Sequence, residues 1–264
     1  MKKQIFGWIY SLLIFIFLYM PIFVLALMSF NQSRYNTLPF TFSTQWYSAL
    51  FNNAKLMDAA LNSVYIASIT AIVCVILGTA LMLGIPEGRT KVKNLIHSIV
   101  LMPLTIPWLI MGLSLLLFLM KLGISKNLFM LLIGHIIISL PYAVLVIGAR
   151  LSDMDKSIEE ASYSLGANEW TTFRRIIMPS ILPALIAGGF LSFMVSFDNF
   201  IISYFLIPTG SSTLPIEIYS SIKFGFTPEI NAVATIILTM SLVLVVIIAM
   251  LMQSSLKNIF RRKA

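Results

Sequence analysis

Six long apolar runs, separated by short polar stretches, organise this chain. They cover roughly residues 5–28, 61–83, 95–120, 128–149, 181–207 and 231–252. Each is about 20 residues or more, enough for a helix across ~30 Å of hydrocarbon. The pattern predicts an all-α membrane protein with six transmembrane helices. An even count puts both ends on one side. The first run is about twice as long as a signal-peptide core, and no small-residue cleavage site follows it, so it reads as an uncleaved anchor. Residues 29–60 form the longest loop on the far side. Its Trp46 and Tyr47 suit either an interfacial aromatic position or ordinary loop packing.

Composition agrees: 59% of the 264 residues are hydrophobic and 11% are charged, so lipid is the solvent. Charge sets the orientation. Lys2, Lys3, Arg89, Lys91, Lys93, Arg150, Lys156, Arg174, Arg175, Lys257, Arg261, Arg262 and Lys263 all fall on one side of the predicted spans. That is thirteen of the 18 basic residues. The positive-inside rule assigns both ends and the long fourth loop to the cytoplasm. This bias accounts for the net charge of +8 and leaves no need for a nucleic-acid partner. The single cysteine, Cys74, reads as a packing residue. His97 and His135 lack companions for a metal site.

The fourth loop is the unusual one. Asp155, alone or with Ser152, can cap a helix running through Leu165, which Gly166 would end. Asn168 can cap a second helix with Glu169 in its first turn and Arg174 and Arg175 in its last, closed at Pro179. Ile158, Ala161 and Leu165 form one apolar stripe; Trp170, Phe173 and Ile177 form another. Helices this short are not stable alone. They must pack on each other, on the membrane spans or on a partner.

Glu160-Ala161-Ser162, Gly166-Ala167, Phe173, Ile176 and Pro179 resemble the EAA motif of binding-protein-dependent ABC importer permeases. Ser162 stands for the motif's second alanine and Met178 for its leucine. The resemblance implies a type I importer bundle with cytoplasmic coupling helices that sit in a cleft of an ATPase subunit. Glu160, Ala161, Gly166, Ala167, Phe173 and Pro179 would carry that coupling. It also implies three regions: 1–57, an anchor helix and external loop; 58–253, the type-1 transmembrane domain; 254–264, a basic tail. Tyr19, Pro21-Ile22, Ser29-Phe30-Asn31, Leu214-Pro215, Ile218-Tyr219-Ser220 and Pro228-Glu229-Ile230-Asn231-Ala232 are similar to spermidine/putrescine permeases.

No G-x-x-x-x-G-K-[ST] sequence is present, so no phosphate-cradling loop of that kind exists in this chain. By resemblance the partners are ABC ATPase subunits that bind the ATP, a second and different permease, an external solute-binding protein and membrane lipid. The chain itself needs no cofactor and is not an enzyme.

Of ten acidic residues, only Asp198 falls within a span. A carboxylate facing lipid costs ~2.5–3.5 kcal/mol, which favours a protein-facing or watered position. Gly188, Ser192, Ser196, Asn199 and Ser203 form a small, polar stripe on the same span. It suits either a solute path or close helix approach. Asp198 lies off that stripe on a regular helix. Trp108, Tyr142, Phe197, Phe200 and Tyr204 could add aromatic faces for an ammonium; packing is the plainer reading. Pro103, Pro107 and Pro141 predict kinks.

Two positions depart from the polyamine pattern: Trp108 and Asn199 stand where that subfamily often has acids. The expected cargo is spermidine or putrescine. The alternatives are another small organic solute, or an ion-coupled secondary transporter using Asp198.

Overall fold

The computed structural model describes residues 2–34, 37–84, 90–225 and 228–261. Arg89, Arg262 and Lys263, counted above among the basic residues of one side, lie outside the described residues. The described chain is helical: α1 (Lys2–Met28), α2 (Gln45–Asn52), α3 (Ala54–Gly84), α4 (Thr90–Leu101), α5 (Trp108–Lys121), α6 (Leu128–Ser152), α7 (Lys156–Ser164), α8 (Glu169–Thr172), α9 (Met178–Phe197), α10 (Phe200–Leu206), α11 (Leu214–Phe224) and α12 (Glu229–Arg261). Four stretches among the described residues are long and apolar enough to cross a membrane: Phe6–Met28, Ala54–Gly84, Leu128–Ser152 and Glu169–Phe197. A fifth is a bent pair, Asn94–Leu104 with Trp108–Lys121. The apolar part of α12 among the described residues, Glu229–Val243, is shorter.

The bent pair corrects the expectation of one span over 95–120. α4 ends at Leu101, a 3₁₀ turn occupies Met102–Leu104, and α5 restarts at Trp108 with its axis turned by 102°. Proline explains the restart at α5. Pro107 lacks an N–H and disfavours helical geometry at Ile106, so the helix cannot run through. Pro107 then serves as the extended cap of α5, with φ −55° and ψ 129°. Pro141 does not stop its helix: it is buried inside α6, whose 25 residues run unbroken from Leu128 to Ser152.

The chain divides into two compact units, Met1–Met57 with Glu217–Ala264, and Asp58–Ile216. In the first, α12 packs on α1 and α2. The loop after α1 is built around Asn31, whose Nδ2 donates to Thr37 O (2.9 Å) and whose Oδ1 accepts from Thr41 N (3.2 Å). Trp46 Nε1 donates to Asn31 O at 2.7 Å, and Tyr47 Oη pairs with Ser29 Oγ at 2.7 Å. Both aromatics therefore serve the packing of the loop. Lys55 Nζ and Glu217 Oε2 pair at 2.8 Å, with the glutamate buried.

In the second unit, α6 is the central helix. One core joins Ile66, Met111, Leu119, Leu131, Ile138, Ile202 and Leu206. Another joins Cys74, Ala143, Ile147, Ile181 and Leu185. Helices in lipid gain little from apolar burial, so their association rests on close packing by small residues. The contact of α6 with α9 obeys this. A Cβ on Gly188 would lie 3.3 Å from Ala143 Cα.

Candidate functional site

The elbow between α6 and α9 is built from caps. Asp155 Oδ1 accepts from Ser157 N at 2.9 Å and starts α7. The same bond holds the Asp155 carboxyl below the usual carboxylate range. α7 ends with Gly166 N donating to Tyr163 O (2.9 Å) and Ala167 N to Ser162 O (3.1 Å). This is a Schellman closure, and Gly166 takes the left-handed φ of +83° that it requires. Asn168 Oδ1 accepts from Thr171 N at 2.9 Å and starts α8.

Two features of the elbow depart from expectation. Pro179 does not end the second helix. α8 passes through a π turn, Phe173–Ile177, directly into α9, and Pro179 sits in the first turn of α9. Met178 N reaches back five residues to Phe173 O. The wider turn lets the chain absorb a proline without stopping the helix. The second feature is Ser162. It is buried, and its Oγ pairs with Thr172 Oγ1 at 2.9 Å. The swap of alanine for serine therefore installs a bond that clamps α7 to α8. The swap itself was the signal, but its partner lies ten residues on and is not visible as a motif.

The elbow is rooted at both ends. Arg150 Nε donates to Ser180 O at 3.0 Å, and Leu151, Met154 and Ile177 pack against the Cys74–Ile181 core. Its outer surface is uncovered. Leu165 is 88% exposed, Trp170 65% and Ile158 52%. Glu160, Ala161, Gly166 and Pro179 are exposed too, while Ala167 and Phe173 are half-buried. Trp170 and Phe173 form a tilted pair at 5.6 Å.

The fifth predicted span is broken where its acid stands. α9 ends at Phe197, and Asp198 N closes it on Met194 O at 3.1 Å. Asn199 Oδ1 then accepts from Ile202 N at 2.8 Å and caps α10. The break settles the periodicity question raised by the sequence. Ser192, Ser196, Asn199 and Ser203 are buried, whereas Asp198 is exposed. The stripe faces α6: Ser192 Oγ donates to Ser139 O at 3.3 Å, and Ser196 and Ser203 both reach His135. Two serines thus flank the His135 ring.

Of the residues named for a solute path, Ser196 and Asn199 serve this packed seam. Asp198, Trp108 and Tyr204 are exposed, and Tyr142 is half-buried. Trp108 opens α5, which lies tight on α10; a Cβ on Gly112 would sit 2.8 Å from Phe205 Cδ2. Aromatic pairs lie on both sides of Asp198, Phe193 with Phe197 at 5.7 Å and Phe200 with Tyr204 at 5.3 Å.

Comparison with known proteins gives consistent matches. The sequence pattern of the "binding-protein-dependent transport system inner membrane component" matches residues 76–261. The spermidine/putrescine transport system permease protein PotC of Haemophilus influenzae is 38% identical over 238 residues, 90% of this chain and 93% of that one. The putrescine transport system permease protein PotI of Escherichia coli (strain K12) is 38% identical over 234 residues, 86% of this chain and 83% of that one. Among solved structures, a bacterial ABC transporter involved in the import of the acidic polysaccharide alginate aligns with a TM-score of 0.65. It covers 96% of this chain and 97% of its own at 18% identity, a likeness of fold.

Proposed function

The chain belongs to the binding-protein-dependent transport system inner membrane components, and on that premise we propose that it is a permease subunit of an ABC importer for spermidine and putrescine. Its place is the bacterial inner membrane, as a multi-pass chain of six spans with cytoplasmic ends. The observation that carries the cargo is the 38% identity, across 90% of the chain, to a spermidine/putrescine permease. ATP is bound and hydrolysed by partner ATPase subunits. A second, different permease completes the membrane passage, and an external binding protein delivers the solute.

The geometry supports a division of labour. The exposed apolar side chains of Ile158, Leu165 and Trp170, with Glu160 exposed elsewhere on α7, suit a cleft in the ATPase. The elbow's rooting through Arg150 and Ile177 lets a push on α7 reach α6 and α9 together. Closure of the ATPases would then shift a two-state equilibrium of the bundle. At the break in the fifth span, the exposed Asp198 offers one negative charge among aromatic rings. Such a place attracts an organic polycation weakly enough to release it.

Uptake of labelled spermidine and putrescine into proteoliposomes tests the cargo. These carry the chain with its partner permease, ATPase and binding protein. Both polyamines should enter and compete with each other. A different small solute would be the cargo if neither enters while that solute does. Trp108 and Asn199, both uncharged, are the observation that favours that second reading.

A further inference from the structure

His135 is 1% exposed. Its Nδ1 lies 2.8 Å from Ser196 Oγ, and its Nε2 lies 3.1 Å from Ser203 Oγ. The two serines are on opposite sides of the break. Ser196 belongs to the last turn of α9, and Ser203 belongs to α10, beyond the cap at Asn199. One imidazole on α6 therefore bridges both halves of an interrupted helix.

The chemistry suits a bridge. A neutral imidazole offers one N–H and one lone pair, and a hydroxyl can give or accept. Either tautomer satisfies both serines, and neither bond needs a charge. Apolar packing of α9 on α6 and of α10 on α5 and α6 sets the halves side by side, but directional bonds across the break are few. The helical ladder stops at Asp198, and Asn199 Nδ2 is buried with no partner among the described residues. The ring is also held in place from its own helix. At the neighbouring Gly134, a Cβ would lie 2.7 Å from Leu206 Cδ1 and 2.8 Å from Ile202 Cγ2. α10 thus lies close against α6 immediately beside the imidazole.

The geometry assigns His135 as a positioning residue that pins α9 and α10 at one angle and so holds Asp198 on the exposed face of the break. This rests on the permease reading above, and His135 itself touches no solute. The sequence offers a convenient test, because Cys74 is the one native cysteine. In a Cys74→Ala background, spin labels at Leu191→Cys on α9 and Thr209→Cys just past α10 report the distance across the break.

The complete importer assembly in liposomes is used for both readouts. His135→Leu should broaden that distance distribution and lower the maximal polyamine uptake rate by about tenfold, the order expected for losing a pair of buried bonds. His135→Gln keeps a donor and an acceptor and should restore most of both. Wild-type uptake with an unchanged distribution in His135→Leu overturns the assignment. So does His135→Gln performing no better than His135→Leu. If His135→Leu fails to insert, Ser196→Ala and Ser203→Ala each remove a single bond and should each broaden the distribution; no broadening in either overturns it. A wild-type assembly that takes up no polyamine counts against the cargo reading, while the label distances still judge the pin.

Discussion

Replacing Gly166 isolates the role of the elbow's turn. Its φ is +83°, a region where a Cβ costs about 1–2 kcal/mol for an ordinary L residue. No described neighbour lies within 4 Å of the place a Cβ would take, so within the chain the substitution acts through backbone conformation. α7 has nine residues, fewer than the roughly 12–15 that hold a helix unaided. Its closure rests on the two bonds to Tyr163 and Ser162 carbonyls. A loss of ~1–2 kcal/mol changes the ratio of closed to open elbow by about 5- to 30-fold. Gly166→Val should thus cut ATP-driven uptake by that order while the chain stays inserted at wild-type level. Gly166→Asn, which tolerates the left-handed region, should keep most of the activity. The assay is initial uptake rate in proteoliposomes, normalised to inserted permease. Normal uptake in Gly166→Val would refute the reasoning. Equal loss in both variants would show that bulk against the ATPase, rather than φ, is what matters.

Three further outcomes follow from the same geometry. Ser162→Ala leaves the buried Thr172 hydroxyl unpaired and should lower stability by about 1 kcal/mol; Ser162→Ala with Thr172→Val should lose less than the two single changes summed, as read by thermal unfolding of the detergent-solubilised protein. Asn199→Ala removes the α10 cap at a cost of about 0.5–2 kcal/mol, and hydrogen exchange of the α10 amides should rise relative to α9; unchanged protection in α10 would contradict the capping role. Asp198→Asn removes the exposed charge at the break and should raise the polyamine concentration for half-maximal uptake several-fold with insertion intact; unaltered kinetics would take Asp198 off the path.

Much of this architecture is legible in the sequence because lipid imposes a simple code. Apolar length marks the spans, and caps mark the elbow. Asp155, Gly166 and Asn168 act as their residue types foretell, since capping depends on neighbours two or three residues away. What escaped depends on partners distant in the chain. Proline signalled trouble in the third span, but a 102° bend is decided by how α4 and α5 pack. The π turn at Phe173–Ile177 likewise carries the helix past Pro179, a choice that local propensity does not encode. The polar stripe showed which residues share a face. Only the fold shows that this face meets His135, because 61 residues separate it from Ser196.

The central claim is that the work of transport is done on another polypeptide and delivered through the elbow. Its most direct test is subtraction. Proteoliposomes are prepared with the permease pair and binding protein, with and without the ATPase subunit, and loaded with ATP on the ATPase side. Accumulation of spermidine against its gradient should occur only with the ATPase present and should stop when ATP is replaced by a non-hydrolysable analogue. Uphill accumulation in the preparation without ATPase would contradict the account outright.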